Sequence, residues 1–126
     1  MTGGPASRVD AGRLWERHQR LARHGALPGG GVNRQALSAE EFAAWRELIG
    51  WARELGLTAY TDAAGNLFLR LEGTDADAAP VMTGSHLDSQ PTGGKFDGVY
   101  GVLAGLEAAQ VIAESGVRLR RPIEVV

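Results

Sequence analysis

The pattern that most constrains the fold lies in residues 80–126, where apolar runs alternate with turn-forming residues. The run PVMTGSHLD, residues 80–88, is short and bounded by turn signals, so it predicts a strand buried on both faces. VYGVLAGLEAAQVIAES, residues 99–115, is apolar nearly all round and predicts a buried helix, and RPIEVV predicts a further strand. This order predicts a parallel α/β crossover, in which ligands bind beyond the carboxyl ends of the strands.

Three glycines mark the contact between that helix and the sheet. Gly98, Gly101 and Gly105 lie at or inside the predicted helix, where each would cost about 1 kcal/mol relative to alanine. We therefore expect the helix backbone to pack closely against the sheet.

Upstream, apolar residues recur at helical spacing and predict an amphipathic helix over about residues 10–24, stopped by Gly25. Residues 25–37 are rich in glycine and indicate an irregular connector.

Ser38, followed three residues later by Glu41, predicts a capping box at the start of a second helix. Its predicted buried stripe is Phe42, Trp45, Leu48, Ile49, Ala52 and Leu55, and its C-terminal cap is Gly56. Residues 57–73 then predict a hairpin around a turn at Asp62 to Asn66.

The candidate site is the segment between the predicted strand and the buried helix, TGSHLDSQPTGGKFDG, residues 83–98. Alternate residues of a strand share a face, so His86 and Asp88 point the same way and Asp88 can accept the ring N–H that a metal does not use. Asp97 precedes the helix, where it can cap the helix and turn a carboxylate oxygen toward the site. The residues alone leave two interpretations open: a metal site, or an ordinary structural histidine beside an N-cap aspartate.

Other residues carry weaker signals. His18 and His24 fit structural positions on a helix face and at a helix end, and the three tryptophans fit a core or an interface. A phosphate-binding P-loop needs a glycine where Ser89 stands and a Ser or Thr where Phe96 stands, so that motif is not met.

Composition narrows the possible chemistry. The chain has no cysteine, which excludes disulfides, thiolate zinc sites and a cysteine nucleophile, so any metal must use histidine and carboxylate. A net charge of −2 gives no electrostatic footprint for nucleic acid or an anionic membrane, and we expect neither partner. The N-terminus lacks the apolar segment of a signal peptide, and we expect a cytoplasmic location.

The string GSHLDSQPTGGKFDGVYGVLAGLEAAQVI resembles the first metal-ligand motif of the M20-type amidohydrolases. The branch it resembles contains N-carbamoyl-L-amino-acid hydrolases, allantoate amidohydrolases and β-ureidopropionases. GVNRQALSAEEFAAWRELIGWARELGL and DAAGNLFLRLEG are similar to the same branch. The resemblance implies an α/β fold, with helices packed on a mixed sheet. Residues 10–126 would form the truncated N-terminal part of a zinc-peptidase-like catalytic domain, after a disordered stretch at residues 1–9.

The resemblance also implies roles for the site residues. His86 would ligate one divalent metal ion, Asp97 would bridge two, and Asp88 would orient His86. The metals would be Zn²⁺ or Mn²⁺, and the reaction would be hydrolysis of a ureido or carbamoyl amide by a metal-activated water. The implied substrates are small molecules, N-carbamoyl-L-amino acids or allantoate, and the complete enzyme would be a homodimer.

The chain departs from this pattern because the general-base Glu and the remaining ligands of the family follow the RPIEVV strand. Glu107, Glu114 and Glu124 do not match those positions. We therefore expect an N-terminal fragment that is inactive alone. Two alternatives stay open, a fragment of an M20-type dipeptidase or aminoacylase and a non-catalytic α/β module that binds a partner through its sheet edge.

Overall fold

A computed structural model describes residues 3–126, and residues 1 and 2 lie outside the described part. In chain order the elements are a 3₁₀ helix at Pro5–Arg8, α1 at Ala11–Leu21, α2 at Ala39–Glu54, β1 at Thr58–Thr61, β2 at Leu67–Leu71, β3 at Val81–Thr83, α3 at Val99–Ser115 and β4 at Ile123–Val125. The 3₁₀ helix falls within the stretch expected to be disordered, and it is tied to α3 by a hydrogen bond from Arg8 to the carbonyl of Glu114.

The four strands form one mixed sheet in the order β1-β2-β4-β3. β1 pairs antiparallel with β2, which confirms the predicted hairpin, and β2 pairs antiparallel with β4. β3 and β4 are parallel and α3 connects them, which confirms the predicted crossover. The α/β class with helices on a mixed sheet is therefore confirmed. Because the carboxyl ends of β3 and β4 lie at one edge, the segment that follows β3 is placed at that edge.

The strand predicted at residues 80–88 is wrong in length and in burial. β3 contains only Val81–Thr83, and the side chains of Val81 and Met82 are about half exposed. In residues 3–126 this strand pairs with β4 alone and so lies at the edge of the sheet. An apolar run bounded by turns is compatible with a buried strand, but it does not report how many neighbours the strand has.

The helices pack on one face of the sheet. On that face, Leu69 of β2 and Val125 of β4 are buried against a cluster that includes Leu48, Leu103 and Leu106. The expected close approach of α3 is confirmed: a Cβ on Gly105 would lie 2.9 Å from Val125 Cγ1, and a Cβ on Gly101 would lie 2.7 Å from Ser85 Cβ. In residues 3–126 no helix is long and apolar enough to cross a membrane.

The starts and ends of the first two helices differ in detail from their predictions. α1 ends at Leu21, three residues before the predicted end, and a turn leads to Gly25. At α2, the Ser38 hydroxyl accepts from the Glu41 N–H as predicted. The Glu41 carboxylate, however, accepts from the N–H of Leu37 rather than from Ser38, so the capping box is only half formed.

The predicted buried stripe of α2 is wrong at one position. Phe42 is 43% exposed; it lies in the first turn of the helix, where its ring meets that of Trp45 edge to face. Leu48 and Ala52 are buried as predicted, and Trp51 joins them.

Candidate metal centre

The candidate site begins where β3 ends. Ser85 donates its N–H to the carbonyl of Val126 at 3.0 Å, so the chain continues alongside β4 after Thr83. Gly84 is required in this run because a Cβ there would collide with the main chain of Val126. His86 and Asp88 therefore lie in an irregular segment just beyond the carboxyl edge of the sheet rather than inside a strand.

His86 and Asp88 contact one another as their spacing predicts, although no strand alternation holds them. His86 Nδ1 lies 3.0 Å from the Asp88 carbonyl oxygen and 3.1 Å from Asp88 Oδ1. Both oxygens only accept hydrogen bonds, so Nδ1 must carry the donated proton. In the neutral imidazole this leaves a lone pair on Nε2, which is the nitrogen that turns away from Asp88.

Asp97 reaches the site because the chain turns sharply after it. The N–H of Val99 donates to the Asp97 carbonyl at 2.8 Å across Gly98, whose angles are φ 71° and ψ −55°. This combination is a γ-turn of the rare positive-φ kind, which is strained for residues other than glycine. A Cβ on Gly98 would also lie 2.5 Å from His86 Nδ1, so the imidazole packs directly over the glycine.

The expected N-cap role of Asp97 is wrong. Gly98 occupies the N-cap position of α3, and no side-chain hydrogen bond caps the helix. The γ-turn uses the carbonyl of Asp97 and directs its carboxylate away from the helix amides. That carboxylate is 90% exposed.

The two facing groups are spaced as ligands of one cation would be. His86 Nε2 and Asp97 Oδ2 are 3.8 Å apart, which is too long for a hydrogen bond. Zinc binds nitrogen and carboxylate oxygen at about 2.0–2.2 Å, so one ion can reach both atoms across a gap of this size. The donor set, an imidazole oriented by a carboxylate and a second open carboxylate, fits a zinc- or manganese-type ion.

In residues 3–126 no group of three or more His, Asp or Glu side chains converges as a metal site. Asp88 faces the other ring nitrogen and is not a third ligand. The remaining glutamates of interest lie elsewhere: Glu107 is buried against Arg13, and Glu124 accepts from Tyr60 and Arg70 on the sheet face opposite the helices. This part of the chain therefore brings two candidate ligands together, His86 and Asp97.

Two clefts adjoin these ligands. One of about 250 Å³ is lined by His86, Asp97 and the glycine-rich loop. Another of about 180 Å³ is lined by His86 and Asp88 together with Trp45 and Asn66. Both are smaller than the roughly 300–1,000 Å³ typical of small-molecule pockets.

The other two histidines lie outside the centre. His18 is 3% exposed between Phe96 and Tyr100, and burial lowers its pKa. His24 Nε2 lies 2.7 Å from a carboxylate oxygen of Glu47. Both positions are structural contacts.

Arg34, which is fully buried beside the site, was not predicted. An arginine in a glycine-rich connector is ordinarily solvated, so neither composition nor periodicity marks it. The available signal was its place in the GVNRQALS string, which lies inside the family resemblance.

Several known proteins are similar to this chain in sequence and in structure. No protein-family model matches the chain. N-carbamoyl-L-amino-acid amidohydrolase from Rhizobium meliloti is 47% identical over 122 residues, which are 97% of this chain and 29% of that protein. The enzyme of that name from Geobacillus stearothermophilus is 50% identical over 118 residues, 94% of this chain and 29% of its own length. A crystal structure of a hydantoinase/carbamoylase-family amidase from Burkholderia multivorans has a TM-score of 0.92 at 50% identity, over 96% of this chain and 29% of that one.

The chain matches the N-terminal portion of the hydantoinase/carbamoylase amidases. The chain spans about 29% of the length of the curated relatives named above. Enzymes named ureidoglycolate hydrolase and allantoate amidohydrolase match it at lower identity. The resemblance derived from the sequence motif is confirmed, and the relatives are amidohydrolases.

Proposed function

We propose that this chain contributes the first half of a two-metal centre in an amidohydrolase that cleaves a carbamoyl or ureido C–N bond. The observation that carries the proposal is the 3.8 Å separation of His86 Nε2 and Asp97 Oδ2, two exposed ligand atoms with no bond between them. Zn²⁺ or Mn²⁺ would be held by His86, and Asp97 would bridge it to a second ion. A divalent cation in such a site lowers the pKa of water toward about 7 and polarises a carbonyl.

The residues of this chain have separate tasks in that proposal. Asp88 holds the proton on His86 Nδ1 through two contacts, which keeps the Nε2 lone pair directed at the cleft. The γ-turn at Gly98 sets the position of the Asp97 carboxylate. Because Asp97 is 90% exposed, both of its oxygens are accessible, as a bridging ligand requires.

The proposed substrate class rests on the relatives. Their names specify N-carbamoyl-L-amino acids, ureidoglycolate and allantoate, all of which carry a terminal ureido group next to a carboxylate-bearing carbon. These names favour a ureido substrate over the substrates of the dipeptidase or aminoacylase alternative. A cytoplasmic homodimer remains the prediction for the complete enzyme.

Catalysis by the 126-residue chain alone is not part of the proposal. Two protein ligands leave most coordination positions to water, so we expect weaker metal binding than at a four-ligand site. The chain is also about 29% as long as the relatives, so we propose that further ligands and the general base come from additional polypeptide.

A metal titration tests the centre directly. We expect Zn²⁺ added to the ¹⁵N-labelled chain to shift the His86 ring signals, and the substitutions Asp97→Asn and His86→Gln to weaken binding at least about tenfold, the cost of losing even an indirect partner. Asp77→Asn is the matched control, because it removes an exposed carboxylate from a surface loop. We also expect no hydrolysis of an N-carbamoyl amino acid by this chain with added Zn²⁺ or Mn²⁺.

Two results would contradict the proposal. Equal Zn²⁺ affinity in the Asp97→Asn and Asp77→Asn variants would remove Asp97 from the centre. Robust turnover by the purified chain would show that two ligands and no further base suffice.

The partner-binding alternative is favoured by one observation, the half-exposed Val81 and Met82 on edge strand β3. A module that only binds a partner gives no reason for His86 and Asp97 to face each other unpaired. The same titration separates the two, since such a module predicts no site-specific loss of metal affinity.

A further inference from the structure

Arg34 is the most deeply buried charged side chain near the candidate centre, with an exposed fraction of 0%. Its guanidinium donates from Nε to the Leu87 carbonyl at 2.7 Å and from one terminal nitrogen to the carbonyls of Leu21 and His24 at 2.7 and 2.9 Å. Burying a charge without a paired counter-ion is costly, and here backbone carbonyls accept from Nε and Nη1, while Nη2 is buried without a hydrogen-bond partner in residues 3–126. The guanidinium of Arg34 therefore links the end of α1 to Leu87 through three hydrogen bonds.

The bond to Leu87 reaches the centre of the site motif. Leu87 lies between His86 and Asp88, and its carbonyl belongs to the peptide unit that joins it to Asp88, so this bond fixes that peptide unit. The main chain of Arg34 reinforces this hold, because its N–H donates to Ser89 Oγ at 2.9 Å and its carbonyl accepts from the Ser89 N–H at 2.7 Å. A further pair of hydrogen bonds, both 2.9 Å, joins Val32 and Gly93.

The connector at residues 25–37, which carries Arg34, therefore holds residues 87–93 in place through hydrogen bonds. No regular strand holds that segment, since β3 ends at Thr83. The contact between His86 Nδ1 and Asp88 then depends on hydrogen bonds that come from Arg34 and Ser89. We infer that Arg34 is a positioning residue for the metal centre, acting through its bonds to the Leu87 carbonyl and to Ser89 together to hold His86 against Asp88. This inference rests on the proposed function for its metal-binding consequence.

A purely structural role is the competing explanation. The bonds from Arg34 to Leu21 and His24 complete the end of α1, so its loss would destabilise the fold even if the site were indifferent. The decisive measurement must therefore be made on folded protein and compared with a variant that is destabilised elsewhere. Glu107→Gln is that control, because it breaks a buried ion pair between α1 and α3 without touching residues 86–97.

The experiment compares Arg34→Lys with Glu107→Gln in the 126-residue chain, below the onset of unfolding. Lysine keeps the charge but cannot bond three carbonyls with the same geometry. We expect Arg34→Lys to lower Zn²⁺ affinity about tenfold or more, the usual cost of losing an outer-shell partner. We also expect its metal-free His86 ring nitrogens, observed by ¹⁵N NMR, to lose the single Nδ1–H tautomer. Glu107→Gln should leave both readouts at the wild-type values.

Unchanged His86 tautomer and Zn²⁺ affinity in folded Arg34→Lys would overturn the inference. If the wild-type chain binds no Zn²⁺, the proposed function fails, while the tautomer measured without metal still decides the role of Arg34. If Arg34→Lys does not fold, Ser89→Ala replaces it, since it deletes only the hydroxyl that accepts from Arg34. Ser89→Ala should shift both readouts in the same direction by a smaller factor, and no shift there would also overturn the inference.

Discussion

Asp97 lies just before α3 and Glu107 lies in the middle of it, and the two carboxylates differ in burial and in hydrogen bonding. Glu107 is 3% exposed and accepts from Arg13 at 2.8 and 2.6 Å and from the Asp10 N–H at 2.9 Å. Asp97 is 90% exposed, and its Oδ2 lies 3.8 Å from His86 Nε2, too far for a hydrogen bond. The Glu107 carboxylate is thus hydrogen-bonded by the protein at both oxygens, whereas the Asp97 carboxylate is exposed to solvent.

The difference separates an acid that stabilises the fold from an acid that stays exposed beside His86 and that we propose as a metal ligand. A buried carboxylate must be paired or it destabilises the protein, so the Glu107 pair is a requirement of folding. An exposed carboxylate is solvated and contributes little to stability. At the site, substitutions that disturb the backbone next to Asp97 should therefore cost more stability than loss of the Asp97 carboxylate itself. The γ-turn at Gly98 is the main such position.

Gly98→Ala should have the largest effect on stability. The strained backbone costs about 1–3 kcal/mol for a residue with a Cβ, and the contact with the His86 ring adds overpacking of about 1–3 kcal/mol. We expect a combined loss of about 3 kcal/mol in urea unfolding. Gly65→Ala is the matched control, because φ is also positive there, at 87°, while nothing lies within 4 Å of its Cβ. Equal losses in the two variants would show that His86 does not pack on Gly98.

Glu107→Gln should rank second, and its comparison with Asp97→Asn tests the contrast between the two acids. Removing one charge from a buried, hydrogen-bonded pair should cost about 2–3 kcal/mol. Asp97→Asn should change the free energy of unfolding of the metal-free chain by less than about 0.5 kcal/mol, as for other exposed positions. A loss above about 1 kcal/mol for Asp97→Asn in urea unfolding would contradict the contrast.

The sequence predicted the parts of the fold that local patterns encode. The hairpin, the helix that begins after Ser38 and the crossover through α3 each depend on residues close together in the chain. The approach of His86 to Asp88 was predicted as well, although through a strand alternation that the structure does not contain. The site motif itself was found because its residues form one continuous string.

Most of the rest depended on contacts between distant segments, and one local turn, at Gly98, accounts for the remainder. The exposure of β3 follows from its place at the sheet edge, and no local pattern specifies that place. Asp97 was assigned a capping role because an aspartate before a helix usually caps it, and the γ-turn at Gly98 overrides that preference. Arg34 contacts Leu87 across 53 positions of sequence, and its burial became visible only when the fold brought the two together.

The pH dependence of stability should be the smallest of the three effects and should belong to Glu107. Burial raises the pKa of Glu107, but the hydrogen bond from Arg13, the Asp10 N–H and the charges of Arg13 and Arg17 outweigh it and hold the pKa below its ordinary value. A carboxylate with a lowered folded-state pKa stabilises the protein fully above its unfolded pKa of about 4.3. That stabilisation is lost as pH falls through the folded-state pKa.

The measurement is the difference in free energy of unfolding between the wild-type chain and Glu107→Gln, followed by urea unfolding from pH 7 to pH 3. We expect this difference to be constant down to about pH 5, because both states are then ionised, and to shrink below about pH 4. Groups that titrate in both proteins, such as His18, cancel in the difference. A Glu107 difference that grows toward acid would mean that the carboxyl is held protonated in the fold, and the division of α3 between a saturated and an open acid would then be wrong.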